Sequence, residues 1–299
     1  MKFRTRLEKT SGASVVAIGN FDGFHAGHKK IVETLIKTAR QEGLLSVILT
    51  FHPHPRLYFK HPIHLISTDE QRQEILRRQA PDYLFFIDFA SVVDCPAAAF
   101  VQNILLDTLQ MKVLIIGQDF RCGRKREGDL AFLRQQAATA PFKIIQPRTM
   151  SSGGCRIASS VIRKKLAAGA IEEANRIAGH PYAIDGIVEK GAGRGKMLGF
   201  PTINIATANQ ILPAGVFHTQ TLIGKQRFES VTNIGSAPTF ATHTAAPFKI
   251  ETHIPGFQRM IYGKKVTIFF INKIRTEIKF NSSRSLIDQI RQDIANLNI

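Results

Sequence analysis

The sequence of 299 residues contains no tryptophan, four tyrosines and only three cysteines. The cysteines lie far apart, at positions 95, 122 and 155, which excludes a disulfide framework and disfavours a cysteine-rich metal site. Apolar runs such as residues 44–51 and 266–271 are far shorter than the ~18–20 residues that a membrane-spanning helix needs. Residues 1–12 carry four basic side chains and no apolar segment follows them, unlike a secretory signal. These absences predict a soluble protein of the reducing cytoplasm, without a membrane partner.

Acidic residues are scarce relative to basic ones. The chain has 40 lysines and arginines against 23 aspartates and glutamates, which gives a formal net charge of +17. Such an excess is compatible with nucleic acid, an anionic membrane surface or a small polyphosphate as partner. The sequence contains no helix-turn-helix, zinc-finger or RNA-binding motif and no stripe of aromatic and basic residues. A nucleic-acid-binding protein is therefore the less favoured of these alternatives.

The chain divides into two parts with different patterns. In the first, short apolar runs alternate with helical patterns, which predicts a parallel sheet covered by helices on both faces. Two short helices, at 159–168 and 171–178, are expected to close this part. From residue 182 onward strand follows strand, with glycine and proline between them, and one final helix; this predicts a closed antiparallel barrel. We expect a boundary near residue 180, with domains at 1–180 and 181–299.

A glycine-rich turn joins the first predicted strand of the sheet to its helix, at residues 19–28. Such a turn lets backbone amides approach an anion, and the helix N-terminus adds unpaired N–H groups and a positive dipole end. His25 and His28 can donate to phosphate oxygens, and Gly27 between them lets the backbone pass close to a ligand. The alternative is a tight turn with two surface histidines, but the position between strand and helix favours phosphate binding.

Other polar clusters follow the later strands. Four histidines at positions 52, 54, 61 and 64 could be metal ligands, although the neighbouring prolines favour a substrate-side loop. A basic stretch at 121–126 follows Asp119 and Phe120 at the end of a strand, where α/β sheets bind ligands. Ser159 is a plausible helix N-cap, and the same geometry would let Arg163 contact a triphosphate.

In the second part, a loop at 191–196 contains three glycines and two basic residues. It could fold over phosphates or be a plain hairpin turn. Thr202 and Asn204, which follow, offer the hard oxygen atoms that Mg²⁺ prefers next to a nucleotide.

Residues 19–28 resemble the nucleotide-binding motif of the HxGH nucleotidyltransferase superfamily. Together with 50–55, 116–129 and 157–163, they resemble the adenylyltransferase module of the prokaryotic bifunctional riboflavin kinase/FAD synthetase family. Residues 199–204, Gly-Phe-Pro-Thr-Ile-Asn, are similar to the Gly-x-Pro-Thr-Ala-Asn motif of its kinase module, and 212–217, 233–240 and 250–253 follow in the family's order. Several residues depart from the family pattern: Ala158 for serine, Ser160 for threonine, Ile203 for alanine, Ala237 for arginine and Gly256 for an acid.

The resemblance implies a Rossmann-like nucleotidyltransferase domain followed by a riboflavin kinase-like barrel. With ATP and Mg²⁺, the barrel would phosphorylate riboflavin to FMN, and the first domain would adenylylate FMN to FAD and pyrophosphate. Glu251 would be the base of the kinase, and His25, His28 and Arg163 would be the catalytic residues of adenylyl transfer. The alternative is a monofunctional FAD synthetase with an impaired kinase module.

The resemblance also implies three sets of binding residues. ATP in the first domain would contact Gly19, Phe21, Asp22, Gly23, His25, Gly27, His28, Ser159, Ser160 and Arg163. ATP in the second domain would contact Gly193, Arg194, Gly195, Lys196, Pro201, Thr202 and Asn204, with Thr202 and Asn204 also binding the metal. The flavin would contact His52, Pro53, His54, Pro55, Asp119, Phe120 and Arg275.

Overall fold

A computed structural model describes residues 1–148, 151–152, 155–191, 193–236, 248–295 and 297. The described chain forms two compact units: Met1–His64 with Asp69–Ala158, and Leu65–Thr68 with Ser159–Ile299. No helix in these described ranges is both long and apolar enough to cross a bilayer.

The first unit is built on a six-stranded sheet. Its strands are β1 (Lys2–Arg4), β2 (Ser14–Ile18), β3 (Leu45–His52), β4 (Tyr83–Asp88), β5 (Met111–Ile115) and β6 (Lys143–Ile145). They lie in the order β1-β4-β3-β2-β5-β6, and every neighbouring pair is parallel. The helices are α1 (Ala26–Glu42), α2 (Pro55–Tyr58), α3 (Asp69–Arg78), α4 (Ala97–Ala99), which continues as a π-helix over Phe100–Thr108, and α5 (Leu130–Thr139). A small hairpin of β7 (Ser151–Ser152) and β8 (Cys155–Arg156) follows.

The central strand β2 shows why the sheet needs cover on both faces. All five of its residues are buried, and they divide between two cores. Val16 and Ile18 pack into one core cluster, while Val15 and Ala17 pack into the other. Helix α1 belongs to the second cluster, because Val32 and Leu35 lie on its buried face. The predicted parallel sheet with helices on both faces is therefore confirmed.

The second unit is a closed antiparallel barrel. Its strands are β9 (Tyr182–Glu189), β10 (Thr202–Thr207), β11 (Gly215–Ile223), β12 (Gln226–Ser236), β13 (Phe248–His253) and β14 (Lys265–Arg275), in the cyclic order β10-β13-β12-β11-β14-β9. The helices are α6 (Ser159–Ala167), α7 (Ile171–Ala178), α8 (Arg194–Met197) and the final α9 (Ser283–Ala295). The predicted barrel ending in a helix is confirmed.

The barrel interior contains a chain of hydroxyl groups. Thr221 bonds to Ser230 at 2.8 Å, Ser230 to Thr219 at 2.9 Å, Thr219 to Thr232 at 2.7 Å and Thr232 to Thr252 at 2.9 Å. All five residues are fully buried. Because each hydroxyl both donates and accepts, the chain satisfies polar groups inside the barrel across three strands.

Helices α6 and α7 group with the barrel unit. The amide of Asn175 on α7 donates to the carbonyl of Phe270 in β14 at 2.8 Å, and its Oδ1 accepts from the Tyr182 amide of β9 at 2.7 Å. The amphipathic pattern that predicted a helix here does not specify which core the helix covers.

Candidate active sites in the two units

The HxGH turn of the first unit lies at the point where the strand order reverses. From β2 the chain adds β3 and β4 on one side of the sheet, and it later adds β5 and β6 on the other side. In open α/β sheets, ligands bind beyond the carboxyl ends of the strands at such a reversal. Residues 19–25 connect the carboxyl end of β2 to α1 at this point.

The two histidines of the turn are held in one stacked pair. His25 is the N-cap of α1, and its Nδ1 accepts from the His28 amide at 3.3 Å. The two rings stack with their centroids 3.7 Å apart and an angle of 16° between their planes. A Cβ atom at Gly27 would lie 3.1 Å from the His25 ring, so only glycine leaves this ring undisturbed.

His28 is held in an environment that disfavours its charged form. Its Nδ1 is buried and has no hydrogen-bond partner among the described residues, and Phe21 packs edge-on against its ring at 5.4 Å. Burial, together with the positive potential of the adjacent His25, lowers the pKa of His28 well below 6.5. The imidazole is therefore neutral at physiological pH in the absence of a nearby anion.

The backbone of the turn is tight. Phe21 has a φ of 51° and Gly23 a φ of 75°, both in the left-handed region, and the Phe21 and Asp22 side chains are buried. Gly19 lies over the Phe21 ring, where an added Cβ would come within 3.1 Å. A phenylalanine with positive φ is costly, and it persists here because its ring fills the space beneath the turn.

Beside this turn, a buried arginine that no sequence motif marks connects two strand ends. Arg72 of α3 donates to the carbonyl of Asn20 after β2 at 2.7 Å and to that of Phe51 in β3 at 3.1 Å. Its guanidinium also pairs with Asp69, and Asp69 in turn contacts Nδ1 of His52. In the sequence, the i, i+3 spacing of Asp69 and Arg72 is the one available signal for this pair.

The predicted flavin-side loop follows β3. His52 is exposed at the end of the strand, and the buried His54 is the N-cap of α2, where its Nδ1 accepts from the Arg56 amide at 3.2 Å. The segment with Pro53 and Pro55 therefore begins a short helix, whereas an irregular loop was expected. In the described part of the chain, no group of three or more His, Cys, Asp or Glu side chains is placed to hold a metal ion.

The loop after β5 carries the other flavin-side candidates, Asp119 and Phe120. It continues into a basic hairpin closed by hydrogen bonds between Cys122 and Gly128. A Cβ at Gly123 would lie 2.6 Å from the backbone of Ala97, so glycine is required where the hairpin crosses α4. The basic residues 124–126 are exposed at the tip.

Ser159, Ser160 and Arg163 lie on the first turns of α6, which the contacts assign to the second unit. Their assignment to ATP stays a prediction.

On the barrel, the predicted kinase residues lie on the outer face of three neighbouring strands. Asn204 of β10 lies opposite Glu251 of β13, and Glu251 lies opposite Asn233 of β12. The side chain of Glu251 is 31% exposed, and its Oε1 accepts from Lys249 Nζ at 2.6 Å. Residues directly opposite each other have Cβ atoms about 5 Å apart, so three oxygen-bearing side chains lie in one row.

The glycine loop next to this row packs tightly against it. A Cβ at Gly191 would lie 2.0 Å from Nδ2 of Asn204, and one at Gly195 would lie 2.4 Å from the carbonyl of Phe200 and 3.3 Å from Oγ1 of Thr202. Gly193 has a φ of 71° before the chain enters α8, which replaces part of the expected loop. The carbonyl of Pro201 accepts from Nδ1 of His253 at 2.8 Å. The side chains of Arg194 and Lys196 lie outside the described part of the structure.

Arg275, predicted to contact the flavin, binds Asp293 of α9. Its Nε and Nη2 donate to the carboxylate at 2.8–3.1 Å, and Nη1 donates to the carbonyl of Thr276 at 3.1 Å. Asp293 is almost fully buried. This pair anchors the last helix to the end of β14. Among the departures from the family pattern, Ala237 lies outside the described residues.

The two units define a class of protein: a nucleotidyltransferase-like α/β unit followed by a riboflavin kinase-like barrel. Residues 7–161 match the FAD synthetase family model, and residues 178–298 match the riboflavin kinase family model. The chain belongs to the bifunctional riboflavin kinase/FMN adenylyltransferase family.

Curated relatives extend over nearly the whole chain. The bifunctional riboflavin kinase/FMN adenylyltransferase of Buchnera aphidicola subsp. Schizaphis graminum is 33% identical over 294 residues, which cover 96% of this chain and 94% of the relative. Those of Escherichia coli K12 and Bacillus subtilis 168 are 33% and 31% identical, covering 93% and 96% of this chain and 90% and 92% of their own lengths. A crystal structure of a Streptococcus pneumoniae protein, described as a macrolide-efflux protein, has a TM-score of 0.87 and 25% identity, covering 97% of this chain and 95% of its own.

Proposed function

We propose that this chain makes both flavin cofactors: it phosphorylates riboflavin to FMN and then adenylylates FMN to FAD, with ATP as the donor in both steps. The observation that carries this proposal is that each of its two units matches the model of one of the two activities, at residues 7–161 and 178–298. We assign adenylyl transfer to a domain at 1–180 and the kinase to a domain at 181–299; α6 and α7, which group with the barrel by their contacts, fall in the first of these domains by sequence. The free thiols of Cys95 and Cys122 favour a reducing cytoplasm as the working compartment.

In the kinase step, Glu251 accepts the proton of the riboflavin 5′-hydroxyl as that oxygen attacks the γ-phosphorus of ATP. The P–O bond to ADP breaks, and ADP leaves. Positioning and charge neutralisation are the main demands of phosphoryl transfer. Lys249 at 2.6 Å keeps the carboxylate of Glu251 oriented.

The residues beside Glu251 fit a magnesium ion. The hydroxyl of Thr202 and the amide oxygen of Asn204 are hard, uncharged donors, and Mg²⁺ usually takes few protein ligands together with phosphate oxygens and water. Bound there, Mg²⁺ would neutralise charge on the phosphates. Gly191 and Gly195 pack against these two side chains, so the backbone of the glycine loop lies next to the proposed metal ligands.

In the adenylyl step, a phosphate oxygen of FMN attacks the α-phosphorus of ATP and pyrophosphate leaves. The nucleophile is already anionic, so no strong base is required. The backbone amides at the start of α1, with His25 and His28, offer hydrogen bonds to the triphosphate. Asp119 and Phe120 would form the flavin side with His52, Pro53, His54 and Pro55. We also propose Ser159, Ser160 and Arg163 as ATP contacts and Arg275 as a riboflavin contact.

The test separates the two products by chromatography after incubation of the purified chain with ATP, Mg²⁺ and either riboflavin or FMN. The wild type should convert riboflavin to FMN and FAD. Glu251→Gln should block the phosphorylation of riboflavin and leave the adenylylation of FMN intact. His28→Asn should block the adenylylation of FMN and leave the phosphorylation of riboflavin intact. A wild type that uses only FMN is the monofunctional alternative, and one that uses neither substrate refutes the proposal.

A further inference from the structure

One polar group on the outer face of the barrel lacks a partner. Oδ1 of Asn233 in β12 is buried, and no described residue donates a hydrogen bond to it. Buried carbonyl oxygens are nearly always paired, and one that is unpaired in the free protein points to a ligand. Asn233 lies directly opposite Glu251, so the missing donor belongs beside the base of the proposed kinase reaction.

Two carboxylates lie near Asn233 on this face. Glu251 lies across from it on β13. Two positions further along β12, the carboxylate of Glu277 occupies the space above Gly235, because a Cβ there would lie 1.9 Å from Glu277 Oε1. The nearby cation, Lys249, already donates to Glu251 at 2.6 Å. An amide oxygen between two carboxylates calls for a ligand that donates hydrogen bonds.

The strand order separates Asn233 from the magnesium candidates. Asn204 and Asn233 flank Glu251 on opposite sides, and with strands about 4.8 Å apart their Cβ atoms are roughly 10 Å apart. That is too far for both amide oxygens to bind one ion at about 2.1 Å. Since Thr202, Asn204 and the glycine loop form the nucleotide side, Asn233 lies on the other side, where the accepting alcohol must approach.

We propose that Oδ1 of Asn233 accepts a hydrogen bond from a secondary hydroxyl of the ribityl chain and so positions the 5′-hydroxyl at Glu251. This inference rests on the proposed function, because it takes riboflavin as the acceptor. The ribityl chain carries hydroxyl donors next to its reactive end, which suits an unpaired acceptor next to the base. Asn233 is a substrate-positioning residue in this scheme.

The test compares Asn233→Ala with the wild type by quenching of riboflavin fluorescence without ATP and by steady-state kinetics. Loss of one hydrogen bond should weaken riboflavin binding and raise its KM about 2- to 10-fold, with the KM for ATP and the Mg²⁺ dependence unchanged. Asn233→Asp, which keeps an oxygen at this position, should bind riboflavin more tightly than the alanine variant. Asn272→Ala is the matched control: Asn272 is a half-buried asparagine on the barrel that bonds to His218, and it should leave the riboflavin KM unchanged.

Three outcomes would overturn the inference. Riboflavin affinity that is unchanged in Asn233→Ala would show that the hydroxyl contact is absent. A shift confined to the Mg²⁺ or ATP dependence would assign Asn233 to a cation instead. An equal loss in Asn272→Ala would indicate a general effect on the barrel. Circular dichroism and the FMN adenylylation rate report whether each variant is folded, and a wild type that makes no FMN would refute the proposed function itself.

Discussion

The neutral imidazole of His28 should make the stability of the first unit depend on pH. In the folded chain its pKa is well below 6.5, because burial and the adjacent His25 oppose the charged form. In the unfolded chain its pKa returns to about 6.5. Between these two values the unfolded chain binds a proton that the folded chain does not bind, so the free energy of unfolding falls as the pH falls.

The size of the effect follows from that single proton. Below pH 6.5 the loss approaches about 1.4 kcal/mol for each pH unit, until the pH reaches the pKa of the folded state. His28→Asn removes the titrating group. As the pH falls below 6.5, the free energy of unfolding of the wild type should therefore fall more steeply than that of the variant, by up to about 1.4 kcal/mol for each pH unit. Above about pH 7.5 the difference between the two should be constant, because His28 is then neutral in both states.

Denaturant unfolding followed by circular dichroism between pH 5 and pH 8 measures this difference. The matched control is His61→Asn, because His61 is exposed and outside the turn. The wild type and this control should have parallel pH curves. Imidazole nitrogen NMR should give a pKa below 6.5 for His28 in the free protein, and a bound ATP analogue should raise it, since the phosphates favour the charged ring. A His28 pKa at or above 6.5 in the free protein would refute the reasoning.

Three further substitutions test other parts of the structure. Asp293→Ala leaves the guanidinium of Arg275 without its carboxylate and should cost about 3–5 kcal/mol of barrel stability in urea unfolding; a loss below about 1 kcal/mol would contradict the anchoring role. Thr232→Val interrupts the row of hydrogen-bonded hydroxyl groups in the barrel and should lower the free energy of unfolding by about 1–3 kcal/mol, measured as a lower unfolding midpoint. An unchanged midpoint would contradict a stabilising role for these hydrogen bonds. Gly27→Ala puts a methyl group 3.1 Å from the His25 ring and should slow FAD formation from FMN while riboflavin phosphorylation in the same sample is unchanged; equal loss of both would point to misfolding.

The main sheet and barrel strands could be predicted from the sequence because burial leaves a pattern there. β2 and β3 are continuous apolar runs since helices cover both faces, and the barrel strands alternate since only one face is interior. β1 and β6 could not be predicted, because each has only three residues and begins with a lysine, which is too short a stretch to show the hydrophobic pattern of a strand. The sequence predicts α7 at 171–178, because its apolar stripe indicates a helix, but the stripe does not specify which core this helix covers.

The sites were only partly predictable for a related reason. The HxGH turn and the Thr202–Asn204 segment are local, so their neighbours in sequence identify them. Arg72 acts through the carbonyl groups of residues 20 and 51, which no local pattern connects to it. The environment of the unpaired oxygen of Asn233 depends on the register of three strands, β10, β13 and β12, which the sequence does not show. The pairing of Arg275 with Asp293 depends on where the last helix packs.

The hydroxyl chain inside the barrel has a consequence for the chemistry outside it. Thr252, the last member of that chain, is the next residue after Glu251, so the two point to opposite faces of β13. A slip of β13 by one residue would move the carboxylate into the dry interior and the hydroxyl onto the surface. The hydrogen bond between Thr252 and Thr232 therefore stabilises the register of β13 against β12 in the protein without substrate. The side of β13 on which Glu251, the proposed kinase base, lies is thus fixed by a contact that Glu251 does not make itself.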